Sequence, residues 1–72
     1  MKDKNYILVR FGQRVRIERQ RRDLSQEKLG EMAKVHRTYI GMIERGEKNI
    51  TLLNIEKVAL ALDLTLKQLM DF

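Results

Sequence analysis

Apolar residues recur along most of this chain at intervals of three and four, the spacing that places side chains on one face of a helix. In the first such segment, about residues 7–22, Ile7, Phe11 and Val15 lie four apart and are expected to face a core. The sequence lacks the alternating pattern of half-buried strands, and it contains no proline. The pattern therefore predicts an all-α fold.

Capping residues divide the next stretch into two short helices joined by a tight turn. Ser25 can cap a second helix, which is expected to end near Lys34. A third helix is predicted over residues 37–45, and Gly46 can adopt the left-handed conformation that closes it. The residues of these two helices predicted to be buried are Leu29, Ala33, Ile40 and Ile43.

Two threonines begin the remaining helices: Thr51 is expected to cap a fourth helix, and Thr65 a fifth that continues to Phe72. The predicted core face of the fourth helix consists of Leu52, Ile55, Val58, Ala59 and Leu62. The sequence shows no internal repeat, low-complexity run or linker. The five short helices should therefore form one compact bundle, a single domain over residues 1–72.

Positive charge is concentrated at one end of the sequence. The formal net charge is +5, and eight of the fifteen Lys and Arg residues lie within residues 1–22. This balance favours a polyanionic partner but does not choose between nucleic acid and anionic lipid. Residues 52–72 are nearly neutral and apolar, which favours burial and subunit contact.

Composition also excludes several function classes. The chain has no Cys and one His, which excludes disulfides and thiolate metal sites. It has no metal-ligand spacing, glycine-rich phosphate loop or His pair, so we expect no enzyme activity, cofactor, metal or small-molecule ligand. No apolar stretch approaches the roughly 20 residues that cross a bilayer, and the first residues are too charged for a signal peptide. We expect a cytoplasmic protein without a membrane partner.

The segment at residues 25–46 meets three requirements of a helix that reads the DNA major groove: a polar N-terminal half, an apolar opposite face and a short preceding helix. The stretch LSQEKLGEMAKVHRTYIGMIERGEKN, with Arg19 before it and KVALALDLTLKQLM at 57–70, resembles the phage-repressor (Xre-like) helix-turn-helix family. Within that family, RTYI followed by IERG resembles the controller proteins of restriction and modification genes. The resemblance implies a lambda-repressor-like bundle that binds double-stranded DNA and controls transcription.

Three residues depart from the family pattern. Lys34 stands where the turn usually has Gly or Asn. A left-handed Lys costs roughly 1 kcal/mol, so an adjusted turn is expected. Glu18 replaces a common aliphatic residue and Gly30 replaces the usual Ala.

Helix geometry directs one face of the third helix away from its apolar stripe. Arg37 is the first choice for base reading, because its guanidinium can donate two hydrogen bonds to guanine O6 and N7; a solvated Arg is the alternative. Thr38 and Met42 could contact thymine methyl groups. Gly41 would either let the helix approach the bases closely or relieve crowding between helices.

Residues around that face are candidates for contacts to the DNA backbone: Gln26, Tyr39, Arg45, Lys48, Asn49 and Thr51. Gln26 matches the family's phosphate-anchoring Gln, at a helix N-terminus that favours anions; the alternative is a solvated surface amide. Asn49 and Thr51 resemble residues that grip the backbone, although Thr51 could be only a cap. Tyr39 could bind a phosphate or simply pack, and His36 is expected to be a turn residue.

The resemblance also assigns roles to four charged residues. Arg19 and Glu44 correspond to a partly buried pair that joins the first and third helices. Glu27 and Glu31 would be available to contact RNA polymerase if the protein activates transcription.

The C-terminal segment has more apolar surface than a small bundle can bury, which indicates a homodimer interface at Leu60, Leu64, Leu66, Leu69, Met70 and Phe72. A twofold dimer would present two recognition helices about 34 Å apart and require a palindromic operator. The alternative is a monomer with an apolar tail. Competing functions are an antitoxin or prophage repressor that also binds a protein, and nonspecific polyanion or membrane-surface binding through the first helix.

Overall fold

A computed structural model describes residues 5–72 and folds them into five α-helices. The helices are Tyr6–Arg21 (α1), Gln26–Ala33 (α2), Arg37–Glu44 (α3), Leu52–Ala61 (α4) and Leu66–Leu69 (α5). The described residues contain no β-strand, so the predicted all-α fold is confirmed. The predicted domain also includes residues 1–4, which lie outside the described residues.

Side chains fix where four of the helices begin. Ser25, Thr51 and Thr65 each accept a hydrogen bond from the backbone amide three residues further on, as the sequence predicts. The fourth cap is His36, whose Nδ1 accepts from the amide of Thr38 at 3.0 Å. Each cap satisfies one amide that the first turn of a helix leaves without a partner.

The first four helices end in the same way, with a residue of positive φ between 54° and 73°: Asp23, Lys34, Gly46 and Asp63. After each of them, the next amide donates back to the carbonyl five residues earlier, which closes the last turn. The prediction of an adjusted turn at Lys34 is wrong, because Lys34 itself takes the left-handed conformation with φ 62°. The fifth helix is shorter than predicted and ends at Leu69.

The core draws on every helix: it contains Phe11, Val15, Leu29, Ala33, Ile40, Ile43, Ile50, Val58, Ala59, Leu62 and Leu69. The predicted burial of the α2 and α3 residues is therefore confirmed. Ile55 is only half-buried, and two predicted core residues are exposed: Ile7 at 54% and Leu52 at 72%. Each lies in the first turn of its helix, which the bundle leaves uncovered.

Helix α1 meets α3 at Gly12. A Cβ on Gly12 would clash with the carbonyl oxygen of Ile43 and lie 2.9 Å from that of Glu44. Glycine therefore permits an approach to backbone that a side chain would prevent. This contact places the carboxyl end of α3 directly against α1.

Glu18 of α1 is a buried carboxylate. It accepts hydrogen bonds from Arg14, Arg21 and Arg22. Arg14 also donates to the carbonyl of Gln68 at 2.7 Å, so the cluster ties α1 to the end of α5. The hydrogen bond from Arg22 and the positive charges lower the pKa of Glu18, although burial alone would raise it.

Candidate DNA-binding surface

The turn between α2 and α3 presents the polar side of α3 outward. Ile40 and Ile43 are 0% and 2% exposed and fix α3 to the bundle. Arg37 and Thr38, predicted to read bases, are exposed at the start of the same helix. Met42, on the same predicted face, is half-buried. The N-terminal half of α3 thus combines a fixed apolar side with an accessible polar side.

Arg37 has an acidic neighbour on α2. Its Nη1 lies 3.5 Å from Oε1 of Glu27, and both side chains are more than half exposed. An exposed ion pair at this distance is weak, so it leaves Arg37 able to exchange Glu27 for another acceptor. Glu31, the other predicted polymerase contact, is also exposed on α2 and lies 3.7 Å from the ammonium of Lys28.

Gly41 is buried beneath two polar side chains. A Cβ at this position would lie 3.2 Å from Nη1 of Arg45 and 3.4 Å from Oε1 of Gln26. Close approach of bases to Gly41 stays a prediction, which requires these two flexible side chains to move aside. Its small size makes room for them, which is the alternative of relieved crowding between helices.

Gln26 joins a hydrogen-bonded chain that begins in α1. Arg19 donates to Glu44 through Nε at 2.6 Å and Nη2 at 3.0 Å, so the predicted structural pair is present. The amide nitrogen of Gln26 donates to Oε1 of Glu44 at 3.0 Å. Gln26 is half-buried, so the alternative of a solvated surface amide is wrong. The Arg19–Glu44 pair, which joins α1 to α3, thus holds the candidate phosphate anchor Gln26 at the start of α2.

Tyr39 combines a packed ring with a bonded hydroxyl. The ring is half-buried and packs against the core. Its hydroxyl accepts a hydrogen bond from Nδ2 of Asn54 at 3.0 Å, and the ammonium of Lys48 lies 5.8 Å from the ring centroid. Sequence reasoning missed Asn54, because its distance from Tyr39 along the chain gives no signal of this contact.

The remaining backbone candidates lie at the end of α3 and in the loop that follows: Arg45, Lys48, Asn49 and Thr51 are all exposed. Arg45 forms an ion pair with Glu47 at 3.0 Å. The hydroxyl of Thr51 caps α4, which establishes its structural role and leaves phosphate binding a prediction. The structure thus brings all four to the α3–α4 side of the bundle.

The predicted dimer residues divide into two groups. Leu60, Leu66, Met70 and Phe72 are between 36% and 71% exposed, and Leu64 is half-buried. Leu69 is 0% exposed, so its prediction as an interface residue is wrong: it belongs to the core. Sequence reasoning missed Leu53, which is 72% exposed and lies seven residues before Leu60, on the same face of α4.

No group of three or more His, Asp or Glu side chains in residues 5–72 is arranged to hold a metal ion. Within the same range, no helix is both long and apolar enough to span a membrane.

Two short helices at a tight turn, with an exposed polar face on the second and apolar residues fixing it to a bundle, define a helix-turn-helix DNA-binding domain. The helix-turn-helix family profile matches residues 15–69, and the chain belongs to this family of DNA-binding transcription regulators. This confirms the phage-repressor-like resemblance seen in the sequence.

The relatives include proteins of the predicted subgroup. The chain is 49% identical over 69 residues to control protein C.BamHI of Bacillus amyloliquefaciens, in a match that covers 94% of this chain and 85% of that protein. The structure of the restriction-modification controller protein C.AhdI from Aeromonas hydrophila matches with a TM-score of 0.88 and 45% identity, covering 90% of this chain and 98% of the other. The biofilm master regulator SinR in complex with DNA matches with a TM-score of 0.79 and 34% identity, covering 85% and 98% of the two chains.

Proposed function

We propose that this protein is a controller of restriction and modification genes that binds a palindromic operator as a homodimer. The observation that carries the proposal is the exposure of Arg37 and Thr38 on a helix whose Ile40 and Ile43 are buried. The similarity to C.BamHI and C.AhdI supports the choice of regulated genes. The role requires no catalysis, and the protein acts in the cytoplasm, where its operator lies.

Base reading falls to α3 in the major groove. Arg37 exchanges its weak pair with Glu27 for the O6 and N7 atoms of a guanine, and Thr38 and Met42 contact neighbouring thymine methyl groups. The phosphate contacts that position the helix come from Gln26, Tyr39, Arg45, Lys48, Asn49 and Thr51. Glu44 supports this set by holding the amide of Gln26 at 3.0 Å.

Dimerisation covers the apolar surface of α4, α5 and the residues that follow each of them. This surface consists of the half-buried Leu64 and the exposed Leu53, Leu60, Leu66, Met70 and Phe72. The described part of one chain measures 33 × 24 × 22 Å and carries one α3, whereas half-sites of a palindrome lie about 34 Å apart. One chain cannot place an α3 in both half-sites, which supports binding by two chains related by a twofold axis.

The acidic outer face of α2 contacts RNA polymerase. Glu31 is the cleaner residue for testing this role, because Glu27 also pairs with the base-reading Arg37. Glu31→Ala should reduce activation of the target promoter and leave operator affinity unchanged. Unaltered activation by this variant would exclude Glu31 as the contact.

Selection of bound duplexes from a random pool tests the proposal. The expected result is an inverted repeat whose half-sites are centred about one helical turn apart, bound far more tightly than its scrambled sequence at physiological salt. Arg37→Ala should retain the weak, salt-sensitive binding to scrambled DNA and lose the preference for the repeat. Equal affinity of the wild-type protein for both duplexes would contradict the proposed function.

A further inference from the structure

The hydrogen bond between Tyr39 and Asn54 has a direction that bears on DNA binding. Nδ2 of Asn54 donates to the hydroxyl oxygen of Tyr39 at 3.0 Å. A phenolic hydroxyl has one proton to donate. Because Tyr39 is the acceptor in this bond, its own proton remains available for a second partner.

Asn54 is held where this bond requires it. It lies in the first turn of α4, where Thr51 accepts a hydrogen bond from its backbone amide at 3.2 Å. Its side chain therefore approaches Tyr39 from an element separate from the recognition helix. The Thr51 cap fixes the first turn of α4 and with it the donor that faces the phenol.

Positive charge lies next to the same phenol. The ammonium of Lys48 is 5.8 Å from the ring centroid of Tyr39, and the exposed Asn49 follows it in the loop. A phosphate oxygen can only accept hydrogen bonds, and a nearby ammonium favours its negative charge. A hydroxyl whose lone pair is occupied and whose proton is available matches that requirement.

We propose that Asn54 is a positioning residue for DNA binding, which directs the Tyr39 hydroxyl to donate to a backbone phosphate by occupying its oxygen. The proposal rests on the proposed function, in which Tyr39 faces the DNA backbone. It adds a residue that touches no DNA itself. It also makes the start of α4 part of the DNA-binding surface, beside α3.

The test uses Asn54→Asp in the full chain, with and without Tyr39→Phe. An aspartate accepts the Tyr39 proton and so reverses the bond. The affinity of each variant for the duplex selected by the wild-type protein is measured by fluorescence anisotropy. Asn54→Asp should weaken binding about tenfold or more with Tyr39 present, the loss expected for one hydrogen bond to a charged group.

The Tyr39→Phe background separates the hydrogen bond from the added charge. A carboxylate at position 54 repels DNA in either background, so that part of the loss should persist when the hydroxyl is absent. The part that depends on the hydroxyl should disappear, making the loss in the Tyr39→Phe background several-fold smaller. Equal losses in both backgrounds would overturn the proposal.

Asn54→Ala provides a second comparison without a new charge. It should weaken binding when Tyr39 is present and have little effect in the Tyr39→Phe background, because the role proposed for Asn54 is to direct the Tyr39 proton. Thermal unfolding of each variant shows whether the fold is retained; a purely structural role would lower the midpoint and leave the two backgrounds equally affected. If Tyr39→Phe alone binds as tightly as wild type, the proposal fails and the Tyr39 hydroxyl is removed from the phosphate contacts, while operator recognition through Arg37 stands. Failure of the wild-type protein to select any sequence would instead reject the function itself.

Discussion

Arg19 of α1 and Glu44 of α3 form a two-point ion pair, with Nε to Oε2 at 2.6 Å and Nη2 to Oε1 at 3.0 Å. Glu44 is only 8% exposed, and Arg19 also donates to the carbonyl of Leu24 at 2.7 Å. The same carboxylate accepts a hydrogen bond from the side-chain amide of Gln26. One buried group thus fixes the packing of α1 on α3 and the orientation of a candidate phosphate contact at α2.

Arg19→Ala should lower the free energy of unfolding by about 3–5 kcal/mol, because it leaves the Glu44 carboxylate buried without its cation. Urea unfolding measures the loss. Arg16→Ala, an exposed position of the same helix, is the matched control and should change stability by less than about 1 kcal/mol. Equal effects of the two substitutions would mean that the pair does not stabilise the fold.

Two glycine-to-alanine substitutions should affect different properties, one the stability of the fold and the other the affinity for DNA. Gly12→Ala forces a Cβ against the α3 backbone and should destabilise the protein by about 1–3 kcal/mol. Gly41→Ala meets only the flexible ends of Gln26 and Arg45, so stability should change by less than about 1 kcal/mol. Its operator affinity should fall, since both displaced side chains are proposed phosphate contacts. Unfolding and binding curves for both variants check this, and a more destabilising Gly41→Ala would contradict it.

Stability should depend on pH through Glu18. Its pKa in the folded protein lies below its ordinary value of 4.5, chiefly because Arg22 donates a hydrogen bond to it. The stabilisation is therefore fully present above the ordinary pKa and is lost as pH falls through the folded pKa. Urea unfolding between about pH 6 and about pH 3 should show a steeper loss for wild type than for Glu18→Gln. Parallel curves would exclude this carboxylate as a source of acid sensitivity.

The exposed face of α4 should determine the oligomeric state. Leu60→Glu places a charge where the side chain is 71% exposed, so the monomer should fold normally while the dimer dissociates. Met32→Glu, at a 42% exposed apolar position of α2, is the control and should remain dimeric. Sedimentation velocity distinguishes the two. If the Leu60→Glu protein is dimeric, the dimer interface lies elsewhere on the molecule.

The sequence was sufficient for the parts of the fold governed by local rules. Ser25, Thr51 and Thr65 cap helices as predicted, because their side chains act on amides three residues away. Burial of Ile40 and Ile43 followed from helical spacing. These interactions depend on local backbone geometry and can be inferred without knowing the tertiary structure.

Features that depend on contacts between helices were harder to predict from the sequence. Leu52 and Leu69 both fit apolar spacing, yet one is 72% exposed and the other is in the core, since packing decides which turns are covered. The arginines that pair with Glu18 lie three and four residues away along the chain, but the contact of Arg14 with the carbonyl of Gln68 could not be inferred from spacing. The Tyr39–Asn54 bond joins two helices. Such pairings require the arrangement of the helices as well as their positions in the chain.

Base reading by Arg37 in the major groove is tested most directly by a thermodynamic cycle. The cycle combines Arg37→Ala with replacement of each guanine of the selected duplex by 7-deazaguanine, which lacks the N7 acceptor. At one guanine in each half-site, the two changes should be non-additive, with a coupling energy of about 1–3 kcal/mol. Additive losses at every guanine would contradict base reading by Arg37.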